Sequence, residues 1–338
     1  LKLSEGEGRG APARTRRDWP QPSPHPMVSQ DDSHAFPYWP LRRSPSEECH
    51  MCKGSLKECR MCKGSPKAAV LTEEDRAFEL ADCVEKGFAR EIEVEFSTPM
   101  RRSQQLFRFH VERSDDRCHY RLFSEDGCFL MYAKASEKDW KVDFLLYDPQ
   151  DKDECQADEL LKPAFTMTGS REGTEWRLCQ ERCERCQLSP WSAPCAGHGK
   201  QQMAYIRHSQ DEVDGDLVNM MEIRLPGVHQ DGSQILWCPL LGRGDLANVP
   251  EEDMGYEVRR LFAKLPEWNY EINGLELPFR GRDVLASAKN FLLVPENRPH
   301  HIVCQHAKLG PTTFALDFRY PMSVIQAFAI GVSTMLAV

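Results

Sequence analysis

The sequence lacks the patterns by which catalytic and membrane-spanning proteins are most readily recognised. It contains no Gly-rich phosphate loop, no HExxH and no GxSxG. No apolar run reaches the ~20 residues that a transmembrane helix needs, and no signal-peptide pattern stands at its start. We therefore expect a non-enzymatic globular protein, which agrees with a composition of 41% hydrophobic and 28% charged residues.

Positive charge is also scarce over most of the chain. Residues 1–66 carry eleven Lys/Arg against eight Asp/Glu, whereas the remaining 272 residues carry 32 against 44, so the net charges are +3 and −12. An acidic body is a poor general partner for nucleic acid or for an anionic membrane. Nucleic acid is not expected as a partner, and anion binding would need a local basic patch.

The first 70 residues are poor in aliphatic side chains. Nine of the 23 prolines fall within residues 1–66. Because aliphatic side chains are few and prolines are many, this stretch cannot bury enough apolar surface to form a core. We predict a disordered tail over residues 1–70, followed by one folded domain over 71–338. The tail contains a short duplication whose two copies are ten residues apart and each carry a CxxC pair: Cys49 with Cys52, and Cys59 with Cys62. The four cysteines are a candidate Zn²⁺ site, although the pairs are more closely spaced than in most zinc modules, and a tandem duplication without a metal is the alternative.

The last nineteen residues, Tyr320–Val338, carry no charged side chain. A helix that is apolar on nearly every side must be enclosed by protein or by lipid. The apolar run from Val324 is about fifteen residues, which is too short for a bilayer span. The pattern therefore predicts a helix buried in protein, with Pro321 in its first turn.

Upstream of this helix the dominant pattern is that of short strands. Glu91–Phe96 alternates acidic and apolar residues, which predicts a strand with one solvent-facing side. Glu252–Leu265 is the best of the few helical patterns. Asp317 and Arg319 are expected to share the outer face of the last strand and to form a surface pair there. The remaining predicted strands are Leu106–Val111, Tyr120–Phe123, Cys128–Tyr132, Val142–Tyr147, Phe165–Thr168, Trp176–Cys179, Met203–Arg207, Met220–Leu225, Leu275–Phe279, Phe291–Val294, Ile302–His306 and Thr313–Tyr320.

About a dozen strands and one wholly apolar helix suggest a single architecture. A closed sheet has no free edges and needs a filled interior, which the final helix can supply. The sequence therefore predicts a mainly β fold, a closed antiparallel barrel of about twelve strands around a central hydrophobic C-terminal helix.

Several motifs resemble those of the tubby-like proteins. Thr313–Ser333 reads TFALDFRYPMSVIQAFAIGVS, in which a strand ends in a Tyr-Pro step before a helix with Gln-Ala-Phe-Ala-Ile. It is preceded by Leu265-Pro-Glu-Trp-Asn269, Phe279-Arg-Gly-Arg282 and Ala286-Ser-Ala-Lys-Asn-Phe291 in the family's order. The resemblance implies a twelve-stranded closed barrel threaded by the C-terminal helix.

The resemblance also implies a function. Tubby-like domains bind phosphoinositides, chiefly phosphatidylinositol 4,5-bisphosphate, and act as membrane-tethered adaptors, in animals for delivery of receptors to cilia. The expected location is thus the cytoplasm at the inner face of the plasma membrane, with the nucleus or the cilium as alternatives. We expect a monomer that binds such a lipid together with a protein partner not yet identified.

The basic segment of the family is diluted in this chain. After Phe129-Leu-Met131 the sequence reads YAKASEKDWK, so Lys134, Lys138 and Lys141 are the candidate headgroup ligands. Neighbouring acids are expected to cancel much of their attraction, and ordinary solvated lysines remain the alternative. The family's Lys-Leu-Arg motif is replaced by residues 156–160, QADEL. Trp140 is either a membrane-interface anchor or packed on the barrel.

A second thiol cluster follows the strand that ends near Cys179. Cys183, Cys186, Cys195 and His198 lie with it in an insertion near residues 179–200 that has no counterpart in the family. Four of these five side chains could bind zinc and stabilise the loop, or all could be unliganded thiols. No other cofactor is expected.

Two other functions also agree with the sequence. The first is a protein-interaction or gene-regulatory module with weakened lipid binding, in which zinc on the cysteines is a candidate stabilising ion. The second, less favoured, is lipid handling of the scramblase type, which would require a C-terminal helix that reaches the bilayer.

Overall fold

The computed structural model describes residues 89–136, 138–149, 162–180, 200–213, 215–230, 232–238, 243–250, 256–271 and 273–337. The predicted tail, with both of its CxxC pairs, lies outside these residues. The described part is mainly β, with fourteen strands and two α-helices.

Twelve strands form one closed antiparallel barrel in the order β1-β14-β13-β12-β9-β8-β7-β6-β5-β4-β3-β2. β1 closes the ring, because it pairs with β2 on one side and with β14 on the other. The fold predicted from the sequence is therefore confirmed. The barrel strands are β1 (Phe109–Arg113), β2 (His119–Ser124), β3 (Phe129–Ser136), β4 (Lys141–Leu145), β5 (Phe165–Gly169), β6 (Glu175–Gln180), β7 (Gln201–Val213), β8 (Asp216–Pro226), β9 (Val258–Ala263), β12 (Phe291–Pro295), β13 (Cys304–Lys308) and β14 (Thr313–Phe318).

Two further strands, β10 (Glu267–Asn269) and β11 (Gly274–Glu276), form a separate two-stranded sheet. The segment Leu275–Phe279, predicted as a barrel strand, lies partly in β11 and does not join the barrel. β9 takes its place in the ring. The sequence pattern predicted a helix over Glu252–Leu265, which includes the residues of β9. This prediction was wrong, because Val258–Ala263 pairs with β8 and β12.

The first helix, α1 (Ala89–Ser97), corrects the strand predicted over Glu91–Phe96. Ile92 and Phe96 are buried, while Val94 between them is exposed. The alternating pattern had placed all three on one face of a strand. Residues four apart share one face of a helix, which is why the helix buries Ile92 with Phe96 and not Val94.

The second helix, α2 (Val324–Leu336), fills the barrel. All of its residues from Val324 to Met335 are buried, and Phe328 meets Phe144 of β4 edge to face at 5.6 Å between ring centroids. Burial of an apolar side chain of this size contributes ~1.5–3 kcal/mol relative to exposure. The helix is thus the centre of the core, as the absence of charge in it predicted.

A capping box starts α2. Ser323 is the N-cap and accepts a hydrogen bond from the backbone N–H of Gln326, and the Gln326 side chain accepts one from the Ser323 N–H at 2.9 Å. Pro321 was expected in the first helical turn but lies two residues before the cap. The amide of Gln326 also donates to the carbonyl of Met203 on β7 at 2.9 Å, which joins the helix to the barrel wall.

The two ends of α2 mark the two ends of the barrel. At the Ser323 end, Pro99 bridges to Ser323. At the Ala337 end, Lys289 donates to the carbonyl of Ala337. Within the described residues, no helix has the length and apolarity to cross a membrane.

Candidate functional site

The three predicted headgroup lysines lie on one hairpin, formed by β3 and β4. Lys134 is exposed on β3, Lys138 is exposed in the turn, and Lys141 is the first residue of β4. Ala133 and Ala135 point into the core, so Lys134 between them faces outward. The structure therefore brings the three residues into one outer patch, here called the lysine hairpin.

The charge of Lys141 is locally compensated. Its Nζ lies 2.8 Å from Oδ1 of Asp143, two residues along the same strand. Asp143 is also the cross-strand neighbour of Lys134, in register on β3. Since Asp143 already pairs with Lys141, Lys134 and Lys138 are the hairpin lysines without an ion pair to another described residue.

Trp140 is packed on the barrel and is partly buried. Its ring meets Trp176 edge to face, with centroids 6.0 Å apart, and its carbonyl accepts a hydrogen bond from the N–H of Gly169 at 2.7 Å. The indole also covers Gly173 so closely that no side chain would fit there. Trp140 therefore holds the turn that carries Lys138, which is the second of the two roles considered for it.

Next to Lys134 lies a polar network that sequence reasoning missed. The hydroxyl of Tyr132 lies 2.5 Å from Nδ1 of His119 on β2, and Arg121 forms an ion pair with Asp148. Burial raises the pKa of the Tyr132 hydroxyl. The network fixes the outer face of β2 and β3 beside Lys134. Only the alternation of polar residues along β2 could have indicated it.

A row of cations continues around the outer surface from Lys141. The register places in line Lys141, Thr168, Arg177, Tyr205, Arg224 and Arg260, which come from β4 to β9. The guanidinium groups of Arg177 and Arg224 lie 5.4 and 5.8 Å from the Tyr205 ring centroid. Burial raises the pKa of Tyr205 to about 12, so this hydroxyl stays protonated at neutral pH.

The arginines of this row are paired with buried or half-buried acids. Arg177 lies 2.6 Å from Asp245, and Arg224 and Arg260 lie 2.8 and 3.2 Å from Glu222. Burial alone would raise the pKa of Glu222, but these guanidinium groups hold it below its usual range. The row therefore stabilises the barrel wall and offers less free charge than its composition suggests.

Comparison with known proteins agrees with this architecture. The model of the Tub family matches residues 96–336, which include all twelve barrel strands and α2.

This chain belongs to the Tub family.

Among its relatives in the Tub family, Tubby-related protein 3 of Homo sapiens is 32% identical over 139 residues, 41% of this chain and 31% of that protein. Tubby-related protein 2 of Mus musculus is 33% identical over 114 residues, 34% of this chain and 20% of that protein. Protein king tubby 2 of Aedes aegypti is 36% identical over 114 residues, 34% of this chain and 28% of that protein. The matching part thus spans less than a third of each relative.

The zinc prediction for this Tub-family chain falls mostly outside the described residues. Cys179 lies on β6 and is partly buried on the outer face. The other members of the second cluster fall in the sequence between β6 and β7 and are outside the described residues: Cys183, Cys186, Cys195 and His198. The tail cysteines Cys49, Cys52, Cys59 and Cys62 and the segment 156–160 are also outside the described residues. In the part of the chain that the structure describes, no three metal-binding side chains come together.

The predicted surface pair of Asp317 and Arg319 is wrong. Asp317 is only 1% exposed and pairs with Arg282, whereas Arg319 donates to the carbonyl of Gln104 and lies 3.2 Å from Nδ1 of His301. Alternation on a strand puts two residues on the same face, but the segment containing Arg282 covers that face. Coverage by a distant segment is not visible in the local pattern.

Proposed function

We propose that this Tub-family protein is a non-enzymatic phosphoinositide-binding adaptor, tethered peripherally at the inner face of the plasma membrane. The observation that carries the proposal is the outward exposure of Lys134 and Lys138 on one hairpin of the Tub barrel. The favoured ligand is phosphatidylinositol 4,5-bisphosphate or a related phosphoinositide.

The chemistry of the hairpin suits a phosphorylated headgroup. Phosphate oxygens are strong acceptors, and ammonium donors form charge-assisted hydrogen bonds with them. Lys134 and Lys138 can approach from the strand and from the turn, since the packing of Trp140 holds the turn in place. Each basic residue near an anionic leaflet contributes ~1 kcal/mol to binding, so two to three cations support a weak, reversible tether.

The charge of the whole chain does not favour membranes. With a formal net charge of −9, long-range attraction to an anionic leaflet is absent, and binding depends on the local patch. Such a protein is expected to discriminate strongly between vesicles with and without a multiply charged headgroup. The adaptor part of the proposal is supported by the resemblance to tubby-like proteins and requires a protein partner that binds elsewhere on the chain.

Vesicle sedimentation tests the proposal. The full chain is mixed with phosphatidylcholine vesicles with and without 4,5-bisphosphorylated phosphatidylinositol, and pelleted protein is measured. Lys134→Ala and Lys138→Ala are each expected to reduce lipid-dependent pelleting at least threefold. Lys162→Ala, which removes an exposed lysine outside the hairpin, serves as the matched control. Absence of lipid-dependent pelleting, or equal pelleting after the hairpin substitutions, would refute the proposal.

A second candidate function is a protein-interaction or gene-regulatory module with weakened lipid binding. The ion pair between Lys141 and Asp143 favours it, because it removes one of three cations from the patch. The two functions differ in localisation: a phosphoinositide tether leaves the plasma membrane when the lipid is hydrolysed, whereas a gene-regulatory module accumulates in the nucleus regardless of hydrolysis.

A further inference from the structure

A second group of cationic side chains lines a cavity at the Ser323 end of the barrel. The cavity measures about 540 Å³. Glu296 is the single carboxylate among its described lining residues. The cationic and titratable side chains that line it, here called the arginine cavity, are Arg102, Arg259, Arg260, Arg298 and His301.

These side chains come from three separate segments. Arg102 follows α1, Arg259 and Arg260 lie on β9, and Arg298 and His301 lie between β12 and β13. Arg259 precedes Leu261 by two residues on β9, and residues two apart on a strand face the same side of the sheet. Leu261 packs in the core, so Arg259 lies on the inner side of the sheet near the start of β9. The lining thus combines cations from three segments at the barrel opening, with Arg259 on the inner side of β9 and Arg260 on its outer side.

The cavity carries an excess of positive charge. Arg260 is compensated, since it lies 3.2 Å from Glu222 and 3.1 Å from Glu296. Arg102 contacts a neutral group, with its guanidinium carbon 4.8 Å from the centroid of the Tyr320 ring. Arg259 has no hydrogen bond or ion pair from its side chain within the described ranges. Two guanidinium groups thus face the cavity without a carboxylate partner in the described part of the chain.

The wall behind the cavity adds to this field. Arg319 contacts the ring of His301 and the carbonyl of Gln104, and it forms no ion pair with any described carboxylate. Its Nε is buried without a hydrogen-bond partner among the described groups. Burial and the charges of Arg319 and Arg298 lower the pKa of His301, so this histidine is neutral at pH 7. The positive field comes from the arginines alone.

The arginine cavity and the lysine hairpin lie on opposite sides of the barrel. Four strands separate the β9–β12 pair from the β3–β4 pair in either direction around the ring. The two sites also lie at opposite ends of the barrel. Pro321, next to the start of α2, lines the arginine cavity. The hairpin turn packs on Gly173, which lines a different cavity together with Ala337 at the end of α2. A bilayer at the hairpin would leave the arginine cavity facing away from the membrane.

We propose that the arginine cavity binds a soluble organic polyphosphate. Guanidinium groups bind phosphate oxygens through two parallel hydrogen bonds, and they retain their charge at any physiological pH. Cations from three segments match a ligand with at least two phosphate groups better than a single inorganic phosphate. Pro295, Tyr320 and Pro321, which line the cavity and are partly exposed, offer apolar surface to the organic part of the ligand.

Isothermal titration of the full chain with tripolyphosphate and with inositol hexakisphosphate tests this site. Both are expected to bind more tightly than inorganic phosphate, and Arg259→Gln and Arg102→Gln are each expected to weaken them at least tenfold. Arg171→Gln removes an exposed arginine near the other end of the barrel and should leave the affinity unchanged. Because the Arg259 side chain has no described partner, Arg259→Gln should keep the melting temperature of the wild type.

The outcomes separate this site from the lysine hairpin. Tripolyphosphate affinity should be insensitive to Lys134→Ala, and vesicle pelleting should be insensitive to Arg259→Gln. Failure of both polyphosphates to bind, or equal binding by Arg259→Gln, overturns the proposal. Loss of vesicle pelleting in Arg259→Gln also overturns it, because the cavity would then take a membrane headgroup. Failure of vesicle binding alone leaves it standing.

Discussion

Arg282 and Asp317 form a bidentate ion pair on the barrel wall, with Nε 3.0 Å from Oδ2 and Nη2 2.7 Å from Oδ1. Arg282 belongs to the Phe279–Arg282 motif and Asp317 to the Thr313–Ser333 motif, two of the motifs that resemble the tubby-like family. Asp317 also accepts a hydrogen bond from Gln305 at 2.7 Å. The pair therefore joins the loop before β12 to the last strand of the barrel.

Removing the arginine of this pair should destabilise the fold strongly. Arg282→Met leaves the Asp317 carboxylate buried without its counter-ion, which costs ~3–5 kcal/mol of unfolding free energy. Arg108→Met is the control, because Arg108 pairs with Glu125 at 3.2 Å with both side chains about half exposed, and such pairs contribute ~0–1 kcal/mol. Urea unfolding followed by circular dichroism measures both. Equal losses in the two variants would contradict the structural role of the buried pair.

The amide of Gln326 should be needed to hold α2 in the barrel. Gln326→Leu leaves the carbonyl of Met203 and the N–H of Ser323 buried without these partners, at a cost of ~1–3 kcal/mol for each buried group left unpaired. Thr334→Val is a milder change, since the Thr334 hydroxyl donates to Ile330 within the same helix. The melting temperature of Gln326→Leu should be well below that of Thr334→Val. The reverse order would contradict the proposed role of the Gln326 hydrogen bonds in holding α2 in the barrel.

Stability should fall between pH 7 and pH 5. Burial lowers the pKa values of His208 and His306 to about 4, and Lys289 adds to the effect at His208. Below the unfolded pKa of ~6.5 the unfolded chain binds more protons, so stability is full above that pH and is lost as pH falls toward 4. At pH 5 the loss is at most ~2 kcal/mol for each histidine by this linkage.

Urea midpoints at pH 7 and pH 5 check the direction. His306→Gln should flatten the pH dependence, although it lowers stability at pH 7 by removing the hydrogen bond to the carbonyl of Lys289. A wild-type chain that is equally stable at both pH values would contradict neutral burial of these histidines.

Freeing Lys141 should strengthen vesicle binding. Asp143→Asn removes the carboxylate that pairs with Lys141 and that neighbours Lys134 across the sheet. One additional effective cation corresponds to ~1 kcal/mol, or a several-fold gain in lipid-dependent pelleting. Asp211→Asn makes the same change in net charge on an exposed part of β7 and should have little effect. An unchanged or weaker affinity in Asp143→Asn would show that the hairpin does not contact the headgroup.

Local pattern predicted most barrel strands because inward and outward residues alternate along them. It failed where two periods fit the same residues. Ile92 and Phe96 are compatible with one face of a helix and also with one side of a strand. The buried residues Val258, Leu261 and Ala263 are separated by three and by two positions, so one spacing fits a helix and the other fits a strand. In both segments the neighbouring elements decided the outcome: α1 packs on α2, and β9 closes the ring between β8 and β12.

The lysine hairpin was predictable because its residues are close in sequence, and so was the dilution of its charge by nearby acids. The arginine cavity was not predictable, because Arg102, Arg259 and Arg298 are separated by long stretches of chain. No spacing rule relates such positions, and the closure of the barrel alone brings them together.

Local sequence pattern is enough to require that a helix without charge is enclosed, that strands enclose it, and that Lys134, Lys138 and Lys141 lie near one another. These conclusions rest on short-range periodicity and on the cost of exposing apolar surface. The tertiary structure alone decided which charges are neutralised, as in Arg282 with Asp317, and which converge on a cavity. Electrostatic partners are set by distance in space, which the barrel determines through its strand order and register.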